Sequence, residues 1–289
     1  MHEREVSGIL SAHNGMNLYR GCTHGCIYCD SRSKCYGMMH EFEDIEVKSN
    51  AELLLEAALR KKRRRCMIAT GSMSDPYMPA EQTLQKTRHA AELVLRYGFG
   101  WTVLTKSDLI LRDLALMQEI HARTKCVVQM TLTTADDALC RIVEPHVCVT
   151  SRRFAVLKTL RDAGIPTVVW LCPILPFLND TPENISAILA MCAEAGVYGV
   201  VCFGMGMTLR EGNREYYYAA LDRCFPGLKQ RYIETYGDAY MLNSPQNSAL
   251  MRLFHETCER AGMLHDNDAI FRYLEAFEDK SAGTQLSLF

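Results

Sequence analysis

The chain has 289 residues, 48% hydrophobic and 23% charged, with 32 Lys and Arg against 34 Asp and Glu and a formal net charge of -2. This composition supplies a sizeable core and excludes disorder, collagen and coiled coil, and the near-balanced charge excludes a protein held on nucleic acid by overall charge alone. The opening MHEREVSGIL has no long apolar core and no window reaches the roughly 18 apolar residues of a membrane span, so the expectation is a soluble, cytoplasmic protein without a membrane partner.

In chain order, the first strand signal lies near Met16–Arg20. Asn50–Lys61 reads as a capped helix and Cys66–Thr70 (CMIAT) as a buried strand. The alternation continues with helix Glu81–Tyr97 and strand Trp101–Leu104, helix Leu109–His121 and strand Cys126–Leu132. Helix Ser151–Ala163 with strand Thr167–Cys172 and helix Pro182–Ala195 with strand Val197–Phe203 follow. Six strands joined by helical crossovers predict an α/β fold, a parallel sheet curled into a partial (β/α)6 TIM-like barrel that falls short of the eight units of a closed one. Beyond Gly204 the pattern predicts helices without strands, at Gln246–Ala261 and Ala269–Phe277. The expected organisation is a barrel core over 1–205, a helical extension packed on it over 206–278, and a flexible tail over 279–289.

Thirteen cysteines are an odd number, and most stand alone in apolar runs, which argues against a disulfide framework and for small buried thiols in a reducing compartment. Cys22, Cys26 and Cys29 differ. Within NLYRGCTHGCIYCD (Asn17–Asp30) they form C-x3-C-x2-C directly after the first strand. Three thiolates on so short a loop can wrap one corner of an iron–sulfur cube, and without a fourth cysteine at matching spacing one iron stays open to an exogenous ligand. The alternative is zinc, with His24 or Cys35 as the fourth ligand.

The C-x3-C-x-aromatic-C loop followed by βα units resembles the radical S-adenosylmethionine (radical SAM) superfamily. The resemblance implies a [4Fe-4S] cluster on Cys22, Cys26 and Cys29, with Tyr28 beside the adenine of S-adenosyl-L-methionine. It also implies cleavage of the S–C5′ bond to a 5′-deoxyadenosyl radical and a flavodoxin- or ferredoxin-type electron donor. GSMSDPYMPAE (Gly71–Glu81), LTKSD (Leu104–Asp108) and GIPTVVWLCPILPFLND (Gly164–Asp180) are similar to the branch that includes spore photoproduct lyase and related DNA repair photolyases. On that likeness Ser74, Lys106 and, on the fourth strand, Thr131 hold the methionine end of the cofactor. For Ser74 and Asp75 the other reading is turn chemistry alone. The lyase carries a hydrogen-donating cysteine two residues before its serine, where this chain has Ser72. Because an O–H bond is much stronger than S–H, the candidate donors here are Cys172 and Tyr77.

The chain ends Gln285, Leu286, Ser287, Leu288, Phe289. QLSLF resembles the peptide by which bacterial repair proteins bind the β sliding clamp, with Leu288 and Phe289 as apolar anchors and Gln285 supplying hydrogen bonds; the alternative is a terminus folded on its own domain. Arg60–Arg65 (RKKRRR) reads as a solvated helix end, whereas Arg152 and Arg153, with Lys86, Arg88 and Arg210, are phosphate candidates. Together these readings describe a radical SAM enzyme of the spore photoproduct lyase-like branch, acting on damaged or modified DNA and nucleoid-associated when clamp-bound. The alternatives are a radical SAM enzyme for RNA, peptide or small molecule, and a non-catalytic, clamp-associated iron–sulfur sensor.

Overall fold

Short apolar runs rich in Val, Ile and Thr favour extended backbone over helix, and six of them pair side by side in one parallel sheet. The computed structural model describes residues 1–280; the clamp-binding expectation on Gln285–Phe289 falls outside the described residues. The strands are β1 (Gly15–Met16), β2 (Met67–Thr70), β3 (Gly100–Thr105), β4 (Cys126–Thr131), β5 (Thr167–Trp170) and β6 (Gly199–Val201), in that spatial order. Helices α1 (Ala51–Lys61), α2 (Lys86–Tyr97), α3 (Leu114–Arg123), α4 (Thr150–Asp162) and α5 (Pro182–Ala195) carry the chain back between them. β1 and β6 are the two edges and do not pair with each other, so the sheet is the partial barrel expected.

The period-2 alternation sorts the strand side chains. Trp101, Val103, Val128, Met130 and Val169 face outward into one core with Ile120, Leu157 and Ile188 of the helices. On the inner face Val127, Val168 and Val201 pack against Ile270 and Leu274. The last two belong to α7 (Asn267–Glu275), which follows α6 (Asn247–Ala261). Leu264 adds a parallel bridge to Gly199, and its carbonyl accepts the Val200 N–H at 2.8 Å, which covers the β6 edge. Leu250, Phe254 and Cys258 of α6 share the main core with Leu189 and Cys192 of α5.

The structure corrects three expectations. The first strand signal divides: Met16 stays on β1, whereas Tyr19–Arg20 pairs antiparallel with Glu46–Lys48, which pairs parallel with His2–Arg4. The Tyr19 hydroxyl donates to the buried Glu81 and draws this segment out of the barrel sheet. The helix expected over Glu81–Tyr97 breaks at Gln85, whose φ is 52°, because the Glu81 carboxylate accepts the Thr87 N–H at 3.1 Å and caps α2 afresh. The extension is not free of strands. Gly206–Thr208 and Met241–Asn243 pair antiparallel, and a Cβ on Gly206 would meet the Leu242 carbonyl oxygen at 2.5 Å. Three-residue strands are too short to show a period in sequence.

Candidate active site

The cysteine loop leaves Tyr19–Arg20 and is clamped from two sides. The Cys22 N–H donates to the Phe42 carbonyl at 3.1 Å, and a Cβ on Gly21 (φ 86°) would collide with that same oxygen. On the other side the Ile27 N–H reaches the Val143 carbonyl at 3.0 Å and the His146 N–H reaches the His24 carbonyl at 3.1 Å. Cys22 and Cys26 are buried and Cys29 half-buried, and none of the three is in a disulfide. Burial pushes the Cys22 thiol up to about 12 and raises Cys26 as well.

Two buried carboxylates tie this loop to the barrel. Asp75, just past β2, accepts the Thr105 hydroxyl at 2.7 Å, the Tyr77 N–H at 2.9 Å and the Lys106 N–H at 2.8 Å. His24 Nε2 of the cysteine loop lies 3.1 Å from its Oδ2. Burial alone would raise Asp75, but His24 and these hydrogen bonds outweigh it and bring the group to about 2. Glu144 receives the Tyr28 hydroxyl and the Arg153 guanidinium, both partners of the pair being fully buried. Arg153 also donates to the carbonyls of Thr131 at 2.8 Å and Cys148 at 3.0 Å, so it ties β4 to the loop that carries Glu144.

Lys106 lies between these carboxylates, its Nζ 5.9 Å from the Tyr28 ring centre. Burial favours the neutral amine, yet Cys26, Glu144, Asp75 and Cys29 outweigh it and hold the ammonium above its ordinary range. A cavity of about 380 Å³ opens here, lined by Tyr28, Cys29, Ser72, Lys106, Trp170 and Cys172 among others. Ser72 and Trp170 also line a second cavity of about 540 Å³ inside the barrel. There the Trp170 indole N–H donates to Gln129 Oε1 and the Gln129 amide donates to Thr102, each at 2.8 Å. The lumen is thus lined by Phe271 and Leu274 at the α7 end and polar in its middle, and it shares Ser72 and Trp170 with the cavity beside the cysteine loop.

Residues 16–192 match the radical SAM superfamily. The chain belongs to that superfamily. It is 33% identical over 232 residues to an uncharacterized protein of Mycobacterium bovis, a match covering 76% of this chain and 66% of that one, just under two thirds of the relative's length. An uncharacterized protein of Methanocaldococcus jannaschii is 31% identical over 57% of this chain and 61% of its own. Among solved structures, a spore photoproduct lyase variant superposes with a TM-score of 0.66 at 13% identity, covering 91% of this chain and 79% of that one. A second variant, with bound AdoMet and dinucleoside spore photoproduct, gives 0.62 at 13% identity over 86% and 74%. At these identities the likeness is one of fold.

As a member of the superfamily the chain takes a [4Fe-4S] cluster and S-adenosyl-L-methionine as cofactors, and the donor set fits them. Among the described residues, the set of three His, Cys, Asp or Glu side chains whose ligand atoms all fall within 4.8 Å of one another is His2, His40 and Asp44. At least one pair of the three thiols therefore stands wider apart than the ligands of one tetrahedral zinc, whose sulfurs at a Zn–S distance of about 2.3 Å lie about 3.8 Å apart. His24 has Nδ1 3.2 Å from the His146 carbonyl and Nε2 toward Asp75, and Cys35 is exposed beside Arg210, so neither is a fourth zinc ligand.

The expected site residues are brought together unevenly. Tyr28, Lys106 and Cys172 line the cavity with Cys29. Ser74 is buried, its hydroxyl donating to the Tyr19 carbonyl at 3.0 Å, and Thr131 lies buried at the end of β4. Tyr77 lies elsewhere: its hydroxyl donates to Asp113 at 3.1 Å and it lines a different cavity with Arg112 and His146. The phosphate candidates are engaged within the protein. Arg153 is buried, Arg152 pairs with Asp108 at 2.8 Å, Arg88 with Asp113 at 3.0 Å, Lys86 with Glu52 at 3.4 Å, and Arg210 lies 3.5 Å from Asp30. Sequence reasoning missed Glu144 and the Gln129–Trp170 pair and undervalued Asp75, whose one signal was its place in S-D-P-Y.

Proposed function

We propose that the chain is a radical SAM enzyme that acts on damaged or modified DNA. Cys22, Cys26 and Cys29 hold the cluster, and Tyr28, Ser74, Lys106 and Thr131 hold the bound S-adenosyl-L-methionine. Bound together and reduced, the two cofactors supply a 5′-deoxyadenosyl radical. The observation that carries the reading is one cavity at the C-terminal ends of parallel strands, lined by Cys29 of the C-x3-C-x2-C loop, by Lys106 and by Cys172. The Lys106 ammonium suits a carboxylate, and the Asp75 and Glu144 networks hold the loop against the barrel.

Cys172 is the hydrogen donor in this reading. It lines the cavity, and burial pushes its thiol up to about 12, so the S–H bond that a carbon radical needs is present at neutral pH. Ser72 faces the same space but its O–H bond is too strong for that step. The DNA assignment is supported by the likeness of Gly71–Glu81, Leu104–Asp108 and Gly164–Asp180 to the lyase branch. The QLSLF tail supports it further, since tethering to a sliding clamp would bring a protein of net charge -2 to DNA. A flavodoxin- or ferredoxin-type protein supplies the electron.

The test is anaerobic reconstitution, reduction and quantification of 5′-deoxyadenosine with intact and with ultraviolet-irradiated DNA. Stimulation by irradiated DNA alone is the expected result. Formation indifferent to DNA would overturn the substrate assignment in favour of RNA, peptide or small molecule, and no formation would favour the sensor. Deleting Gln285–Phe289 abolishes clamp binding if the tail recruits the enzyme; unchanged affinity would reject recruitment.

A further inference from the structure

Outside the candidate active site, the strand His2–Arg4 runs parallel to Glu46–Lys48 with His2 opposite Glu46. A turn closed by the Asp44 N–H on the Glu41 carbonyl, at 3.0 Å, brings His40 and Asp44 to the same place. His2 Nδ1 lies 2.9 Å from Asp44 Oδ2, and the His2 and His40 rings pack edge to face with centres 4.7 Å apart. His40 places Nδ1 3.0 Å from the Glu41 carbonyl, so that nitrogen carries the proton, while its Nε2 is buried without a hydrogen-bond partner. The buried Glu46 carboxylate stands 3.9 Å from the Nε2 of each histidine and is held by Arg4 at 3.1 Å. Asp44 Oδ1 also faces the Met1 ammonium at 2.5 Å, which leaves Oδ2 for the histidine side.

We infer that His2, His40 and Asp44 form a binding site for one divalent ion of the zinc class. Two imidazole nitrogens and one carboxylate oxygen are donors that suit Zn2+ and the neighbouring borderline ions, and do not suit Mg2+. Their ligand atoms already lie within 4.8 Å of one another. Small side-chain rotations bring them to the roughly 3.3 Å separation of ligands on a single tetrahedral ion. The lone pair of His40 Nε2, otherwise buried and unused, becomes a metal ligand. Glu46, facing His2 Nε2, is the outer partner that orients the His2 imidazole, and the Glu41 carbonyl does the same for His40 through Nδ1. The ion ties the strand His2–Arg4 to the 40–44 turn, and Phe42 in that turn supplies the carbonyl that receives the Cys22 N–H. The site thus buttresses the cysteine loop without touching the cavity, and it stands whether or not the DNA reading holds.

The test uses the anaerobically reconstituted full chain, whose cluster thiols are occupied, and reads each histidine separately. Carbethoxylation by diethylpyrocarbonate is followed by peptide mass spectrometry with and without one equivalent of Zn2+. Zn2+ is expected to protect His2 and to leave the exposed His13 reactive, and Mg2+ is expected to give no protection. Asp44→Asn and His40→Gln each abolish the protection of His2, in protein whose circular dichroism matches the wild type. Glu46→Gln weakens Zn2+ about tenfold. Equal reactivity with and without Zn2+, or protection in Asp44→Asn equal to that of the wild type, would overturn the site.

Discussion

Val103, Val128 and Val169 face the helices of the barrel and are wholly buried among hydrocarbon neighbours, whereas the loops at the cysteine end of the same strands bury Asp75 and Glu144. The first region is held by area removed from water, a term that is non-directional and close to additive. The second depends on partners that arrive from distant segments: His24, Thr105 and Lys106 at one carboxylate, Tyr28 and Arg153 at the other. Losing a contact in the helix layer leaves a cavity. Losing one in the loop layer leaves a buried polar group without its partner and releases the cysteine loop. The same barrel is therefore tolerant on its outer face and exacting at its active end.

The largest effect should come from Cys26→Ala: iron per reconstituted chain and 5′-deoxyadenosine formation should both fall to background while far-UV circular dichroism is kept. Retention of both would reject the cluster assignment. Next is Arg153→Met, which leaves Glu144 buried and unpaired and should cost about 3–5 kcal/mol in denaturant unfolding. Pairing it with Glu144→Leu should recover much of that loss, and an additive double mutant would show that the two do not act as a unit.

In the helix layer Leu157→Ala should cost about 3 kcal/mol by truncating a fully buried side chain, but leave cofactor cleavage per folded molecule unchanged. A parallel fall in specific activity would blur the contrast between the regions. Asp75 sets an acid limit. Its folded pKa, about 2, lies below the ordinary value of 3.8. Its stabilisation, about 2 kcal/mol, is therefore complete above about pH 4 and disappears as pH falls toward 2; Asp75→Asn should flatten that part of the stability curve. Smallest is Arg63→Ala with Arg64→Ala, both exposed beyond α1, where stability should change by less than about 0.5 kcal/mol. DNA affinity should be unchanged too, unless the run after α1 is a nucleic-acid surface.

The site was legible where its chemistry is local. C-x3-C-x2-C fits on fourteen residues, from Asn17 to Asp30, and Lys106 and Cys172 each follow an apolar run that reads as a strand. Arg153 shows the opposite case. On spacing alone it is a cation at a helix start near the active face, and it is wholly buried because Glu144, on the preceding segment, is buried with it. Tyr77 likewise follows a strand, yet Asp113 holds its hydroxyl on the far side of the loop from Cys172. No sequence spacing encodes either partnership, since each joins residues from different elements.

Hydrophobic periodicity and turn chemistry act within a few residues, so the sequence by itself determined the six strands with their helical crossovers and the bounds of α5 at Pro182–Ala195. Which side of each loop faces inward is decided by partners that contribute only after the sheet has curled. Tyr19 leaves the barrel for Glu81, Gln85 breaks a helix so that Glu81 can cap α2, and His24 turns toward Asp75 instead of a metal. The tertiary structure alone settled these, because a buried carboxylate must collect its donors from wherever the fold brings them.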